Sequence, residues 1–495
     1  VGSRGRRDDR AGGGLGRRRF LAAGGALAVS ACAGPTPGTG PYAGVAKAGE
    51  SGGARPAPAR GYGELRAVPD ERDGEVRLHL PKGFGYRSFD PAGGRLTGGG
   101  VTPGRHDGMA AFRGPGGSVI LVRNHEVNGP AGAFGDPAHA YDRAAGGGTV
   151  TLRVTRRGEV LGSWPSLTGT QMNCSGGPMP WGAWVSCEET VNGPDVGDDH
   201  TGGDNTRLTR EHGYIFEVPL SGRASGRPIR AAGRFMHESA AFEPRQGAIY
   251  LTEDNYRFPS GFYRYLPPKN PMRAGRILDG GRLQMLAVRG APGEDLSLGQ
   301  KPGAAYETAW VDIDDPDPAF TGTPANDTAS RAVSRQGLEK GAAIFSRLEG
   351  AVHHHGTVYF TSTQGGATAK GEDPPSGGFG RGRGQVWAYD TWNGMLRLVY
   401  ESPGAMALDL PDNITTSPRG TLVLCEDGAD ANYVRGLTRR GEIFDFARLV
   451  PVPGDPDAEF AGATFAPGGQ TLFVNVQSDR GLTFAIWGPW EQGEF

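Results

Sequence analysis

From about residue 70 onward the chain alternates short apolar runs with stretches of turn formers. The runs are four to six residues long and enriched in Val, Ile, Tyr and Phe, as in Val119-Ile120-Leu121-Val122 and Leu422-Val423-Leu424. Gly, Pro, Asn and Asp stand between them, and long helical periodicity is scarce. The pattern predicts an all-β fold. Six runs end in related ways, several of them on groups that are costly to bury unless paired or bound to metal. The endings are Asn124-His125-Glu126, Cys187-Glu188-Glu189, Thr252-Glu253-Asp254, Thr361-Ser362-Thr363, Cys425-Glu426-Asp427 and Asn475-Val476-Gln477. Measured on Glu126, Glu188, Glu253, Ser362, Glu426 and Val476, they are spaced by 62, 65, 109, 64 and 50 residues.

A second signature precedes each ending by 14 to 19 residues. It is a polar group followed by small and apolar residues: Asp107-Gly108, Cys174-Ser175, His237-Glu238-Ser239, Arg347-Leu348-Glu349-Gly350, Asp412-Asn413 and Glu459-Phe460-Ala461-Gly462. Each unit therefore reads as a hairpin whose two outer ends carry polar residues on one side. Six such units predict a six-bladed β-propeller with inserted segments, in which these ends converge on one axial mouth. The long gap places an insertion at about residues 266–346. Residues 71–495 are expected to form the propeller domain.

The first 33 residues read as a targeting segment. Arg17-Arg18-Arg19-Phe20-Leu21 fits a twin-arginine pattern, and Val29-Ser30-Ala31-Cys32 fits a lipoprotein box with Cys32 as the candidate lipidated residue. Residues 34–70 then read as a flexible linker. The expected location is outside the cytoplasm or on the cell surface, and the expected state is a monomer. A net charge of −2 over 495 residues gives no reason to expect a nucleic-acid partner.

Cys174, Cys187 and Cys425 remain, an odd number for an exported chain. Cys187 beside Glu188 is read as a metal ligand, and Cys425 as core. Carboxylates this dense in one channel require cations. Excess oxygen donors favour calcium, whereas a thiolate favours iron or another transition metal, so a mixed cluster is expected. His125 and His237 stand beside carboxylates that compete for the same role. His353-His354-His355 reads as an exposed turn, and Asp312–Asp317 as a solvated acidic loop. The acidic loop 191–205 is a weaker metal candidate.

Arg347 precedes Glu349 by two positions, so an extended strand aims both at one side. A guanidinium in a cation-rich mouth suits a phosphate. Metals and arginine together suggest phosphate-ester hydrolysis. The lone Gly49-Glu50-Ser51-Gly52-Gly53 match lies in the linker, outside any strand-to-helix turn, and no phosphate-cradling Gly-x-x-x-x-Gly-Lys occurs.

The chain resembles the PhoX-type alkaline phosphatases. The resemblance is carried by Arg123-Asn124-His125-Glu126, Pro180-Trp181-Gly182-Ala183-Trp184-Val185-Ser186-Cys187-Glu188-Glu189, Gly233-Arg234-Phe235-Met236-His237-Glu238, Leu251-Thr252-Glu253-Asp254, Phe345-Ser346-Arg347-Leu348-Glu349-Gly350, Pro411-Asp412-Asn413, Cys425-Glu426-Asp427-Gly428 and Gly488-Pro489-Trp490. Met179, Met236 and Ser239 depart from the family pattern without touching the expected ligands. The resemblance implies an exported phosphomonoesterase with an iron–calcium cluster and attack by a metal-bound oxo or hydroxide group. It puts the iron ligand on Cys187 and further metal ligands on Glu188, Glu238, Glu349 and Asp427. Glu126, Glu253 and Asp254 match its motifs, and Arg347 is the phosphate contact. Two alternatives stand beside this reading. One is a calcium-dependent propeller lactonase or phosphotriesterase, and the other is a non-catalytic calcium-binding propeller.

Overall fold

The computed structural model describes residues 61–199, 201, 204–429 and 431–495. The twin-arginine segment, Cys32 and most of the expected linker lie outside them. The described part of that linker, from residue 61, is folded. Tyr62 packs edge-on against Phe84, Phe446 and Trp490, and Arg66–Pro69 is a strand paired with Val76–Leu80.

The regular secondary structure of the described residues is almost entirely antiparallel strand, with a few short helical turns. The apolar runs become the buried second strands of hairpins: Val119–His125, Ala183–Glu188, Ala248–Glu253 and Leu472–Gln477 are buried along their whole length. Their first strands are His106–Arg113, Asn173–Met179, His237–Glu243, Leu348–His354, Pro411–Thr416 and Glu459–Phe465. These six inner strands pack side by side in chain order, and the last packs back on the first. Two-residue positive-φ glycine turns such as Gly116-Gly117 and Gly468-Gly469 reverse the chain on the side away from the polar ends.

The sheets make a propeller-like, all-β fold. The described strands form four separate sheets and one of nine strands. The nine-stranded sheet carries two inner strands, His237–Glu243 and Leu348–His354, at its opposite edges. It is joined through Ala305–Asp312 pairing with Met395–Glu401. The segment expected as an insertion thus supplies two strands, Arg282–Val288 and Ala305–Asp312, that extend one sheet to meet the next. An early strand closes the ring with a late one, since Gly85–Phe89 pairs with Leu482–Trp487 in the last sheet. Between neighbouring sheets lie apolar layers, such as Val423, Phe446, Phe460, Val474 and Phe484. Each such side chain contributes roughly 1.5–3 kcal/mol on burial.

One irregularity recurs in every inner strand. Pairing slips by one residue between His106 and Met109, Asn173 and Gly176, His237 and Ala240, Leu348 and Ala351, Pro411 and Ile414, and Ala461 and Thr464. Each slip is a β-bulge, which re-aims side chains and sharpens the local twist.

Candidate metal centre and phosphate site

The bulges decide which residues face the axis. Five of them begin on Asp107, Cys174, Glu238, Glu349 and Asp412, followed by Gly108, Ser175, Ser239, Gly350 and Asn413. The small second residue is needed because the strands crowd one another. A Cβ on Gly108 would lie 2.5 Å from Ser175 Cα, and one on Gly350 would lie 2.5 Å from Ile414 N. In the sixth bulge, Gly462-Ala463, the first position is itself a glycine at φ 59°, where a Cβ would meet the Asp107 carbonyl.

The backbone two residues before each of these five positions forms a second repeated contact. The carbonyls of Arg105, Met172, Met236, Arg347 and Leu410 accept from the N–H of Glu126, Glu189, Asp254, Thr363 and Asp427, at 2.8–3.1 Å. Arg105, Met172, Arg347 and Leu410 adopt positive φ of 44–53° to do so. That conformation costs a non-glycine residue about 1–2 kcal/mol. The contact brings a second carboxylate to the mouth in four of the five units.

Three groups of potential ligands result: Asp107, Glu126 and Cys174; Cys174, Glu189 and Glu238; Glu238, Glu349 and Asp412. Within each group the ligand atoms lie within 4.8 Å of one another, and all are buried. The groups share Cys174 and Glu238 and so form one continuous cluster. Cys174 Sγ stands 2.6 Å from Glu189 Oε2. Burial, then the charges of Glu126, Glu189, Glu238 and Asp107, push the Cys174 thiol far up. Burial, then Glu349, Glu189, Asp412 and Asp107, do the same to Glu238. Glu238 Oε2 is buried with no hydrogen-bond partner among the described residues. One thiol and six carboxylates in contact fit a multi-metal centre: the oxygens suit calcium, and the sulfur suits a transition metal such as iron.

Arg347 stands at the edge of this cluster. Its Nε and Nη2 donate to Asp254 at 3.2 and 2.8 Å, Nη2 also donates to Glu349 at 2.8 Å, and its guanidinium lies 5.2 Å from the Tyr256 ring. Arg105 is its counterpart three inner strands away. Its Nη2 donates to Glu126 at 3.0 Å and to Gln477 at 2.6 Å. Asp427 lines a cavity of about 330 Å³ that also borders Arg347.

Of the expected ligands, Glu126, Glu238 and Glu349 lie in these groups. Cys187 and Glu188 do not. Cys187 packs among Met179, Val185, Ile215 and Leu251 between two sheets, and burial raises its thiol pKa. Glu188 points to the opposite face of the strand from Cys187, away from the cluster. It accepts from Gln171 N, Gly213 N and Tyr214 N, and meets His212 Nδ1 at 2.6 Å. The thiol and carboxylate in the cluster are instead Cys174 and Glu189. Glu253 is likewise turned aside. It accepts from Gly261 N and Tyr263 Oη, and burial pushes its pKa up to about 8. Asp254 and Asp427 reach the mouth without joining a three-ligand group.

The secondary candidates serve local structure. His125 Nδ1 meets the Gly104 carbonyl, and His237 Nε2 meets that of Gly233. His353 accepts from Gly356 N in an outer turn. In the 191–205 loop Asp195 pairs with Arg234, and Asp199 bonds Thr201 and Asn128. Asp317 of the 312–317 run bonds Tyr214 and Arg230. Cys174, Glu189, Asp107 and Asp412 in the cluster, and Arg105 beside it, lie outside the ligand set expected from the sequence. Three of them begin the small-residue signature, which was the available signal.

No curated protein sequence matches the chain. The solved structure of Pseudomonas fluorescens PhoX in complex with vanadate, a transition state analogue, superposes with a TM-score of 0.59 at 17% identity, covering 88% of this chain and 98% of that one. A streptogramin B lyase matches at 0.38 and 12% identity, covering 82% and 98%. A gluconolactonase of Xanthomonas campestris matches at 0.34 and 14%, covering 88% and 100%. The sequence profile of the family described as Alkaline phosphatase PhoX matches residues 61–162 and 143–479. By that match the chain belongs to the PhoX family of alkaline phosphatases, and it is a phosphatase.

Proposed function

We propose that the chain is an exported phosphatase that hydrolyses phosphate monoesters at an iron–calcium centre. The observation that carries this reading is the continuous cluster around Cys174 and Glu238, with Arg347 at its edge. Asp107, Glu126, Cys174, Glu189, Glu238, Glu349 and Asp412 are the proposed ligands, with iron on Cys174 and calcium on carboxylates. The metals, when bound, supply Lewis acidity and lower the pKa of water.

The protein's own part is positioning. Asp254 and Glu349 fix the Arg347 guanidinium, which is suited to receive phosphoryl oxygens in bidentate fashion and to offset their charge. The bulges hold the ligand carboxylates at fixed distances, and the crowded inner strands leave little bulk water at the axis. No serine is required as nucleophile. We read the nine-stranded sheet as two blades fused at their outer edges, giving six blades in all.

Hydrolysis of p-nitrophenyl phosphate by the metallated protein, lost on chelation and restored by iron with calcium, tests the assignment. A fully metallated protein inactive on every phosphomonoester overturns it. Export by the twin-arginine route predicts that Arg17→Lys with Arg18→Lys retains the protein in the cytoplasm.

A further inference from the structure

The cavity beside Arg347 suggests what the enzyme removes phosphate from. It measures about 330 Å³, at the lower end of the roughly 300–1,000 Å³ that ligand pockets occupy. Arg347 forms part of its wall, so a phosphoryl group held there leaves its ester oxygen pointing into the cavity or away from it. The remaining wall is mostly apolar: Tyr256, Pro374, Pro375, Leu410 and Ala429 line it. The proline wall is anchored. Phe379 N donates to the Tyr256 carbonyl at 2.7 Å, Gln364 Nε2 to the Gly377 carbonyl at 3.1 Å, and Arg383 Nη2 to the Asp373 carbonyl at 3.1 Å.

The charges of the cavity are also informative. Arg383 lines it but is committed to Glu372 at 3.3 Å and Asp409 at 3.1 Å. Asp427 adds a further acid to the wall. The lining thus holds one carboxylate, Asp427, beside two arginines already engaged by acids, and a second anionic group would meet that carboxylate without finding an uncommitted cation. Specificity against such a group comes from repulsion and not from fit.

Resting on the phosphomonoesterase reading, we propose that this cavity is the subsite for the leaving alcohol, and that it selects uncharged, flat alcohols of aryl or nucleoside size. Tyr256, already set against the Arg347 guanidinium, and the two prolines supply rigid apolar wall for a flat group. Small alkyl esters leave the cavity empty, and nucleoside triphosphates bring extra negative charge to Asp427.

The test compares kcat/KM for phenyl phosphate, adenosine monophosphate, methyl phosphate and adenosine triphosphate. Phenyl phosphate and adenosine monophosphate should exceed the other two by at least about tenfold, the discrimination an apolar pocket commonly provides. In Ser376→Trp, which fills the cavity from its proline wall, the ratio of phenyl to methyl phosphate should fall by about tenfold. Free adenosine should compete with methyl phosphate in the unaltered protein, a measurement that needs no variant. Equal rates on all four esters, or an unchanged ratio in a folded Ser376→Trp protein, overturn the subsite while leaving the phosphatase assignment intact. Inactivity on all four overturns the phosphatase assignment itself.

Discussion

At the scale of single residues the decisive contrast is between two buried cysteines. Cys174 lies within 4.8 Å of ligand atoms from four acids, in two of the three groups. Cys187 has apolar neighbours only in its packing cluster. Cys174→Ala should abolish iron binding and lower activity by at least about 10²-fold, the cost typical of losing one electrostatic partner of a reaction. Cys187→Ala should keep both metal and activity, and lose about 1–2 kcal/mol through the small cavity it leaves. Metal analysis of the two proteins checks this, and iron retained in Cys174→Ala but lost in Cys187→Ala reverses the assignment. Arg347→Lys keeps the charge but loses the planar fork, so kcat/KM should fall by about 10–100-fold while metal content stays unchanged.

At the scale of elements, the repeat was legible and its frame was not. The hairpins, their polar ends and the long gap all follow from period-two patterning in the sequence. At the second unit's strand end the cluster takes Glu189 where the sequence points to Glu188, and in strands one residue is a change of face. The bulge that places Cys174, Glu238 and Asp412 is a slip of one pairing position, which the apolar pattern does not mark. The small residues Gly108, Ser175, Ser239, Gly350 and Asn413 were its only trace. Gly350→Val should therefore push the fourth inner strand off the fifth, with loss of metal before loss of the outer sheets. Hydrogen exchange in Leu348–His354 against Gln385–Asp390 would resolve the two. Equal protection in both strands of the variant would remove the bulge argument.

The same turned-away Glu188 has its own consequence. It joins its strand to His212, whose other nitrogen lies 3.6 Å from Asp142. Burial lowers the His212 pKa, but the charge and hydrogen bond of Glu188, with the nearby charge of Asp142, outweigh it and raise the pKa to about 9. A raised pKa means the folded state holds the proton more tightly than the unfolded one. Its contribution is complete below the ordinary value of 6.5, declines as pH rises, and is gone above about 9. The full contribution is on the order of 3 kcal/mol. Urea midpoints should fall between pH 6.5 and 9 in the unaltered protein and change less in His212→Gln. Parallel pH profiles for the two proteins would assign the decline to other groups.

At the scale of the whole molecule, the cluster stands where the sheets meet. Five inner strands contribute Asp107, Cys174, Glu238, Glu349 and Asp412, and Glu126 and Glu189 join from just past the ends of the second strands. Arg105 and Arg347 offset part of that charge. Without cations the ring of inner strands holds like charges across its axis, in a buried setting where screening is weak. Bound cations change that repulsion into a bond between sheets, and every ion that binds only the folded state stabilises it by mass action, about 3 kcal/mol at a hundredfold excess over Kd. Chelation should therefore lower Tm by several degrees and loosen the axis first. Exchange should rise in His106–Arg113, His237–Glu243 and Pro411–Thr416, while the outer pair Gly85–Phe89 and Leu482–Trp487, which closes the ring through backbone bonds, stays protected. Calcium alone should restore most of the lost stability, because carboxylates outnumber the thiol six to one in the cluster. Activity should return only with iron. Calorimetry with metal analysis reads both quantities on one sample, and a stripped protein whose Tm and inner-strand protection match those of the metallated form would mean that the ring is held by its apolar layers alone.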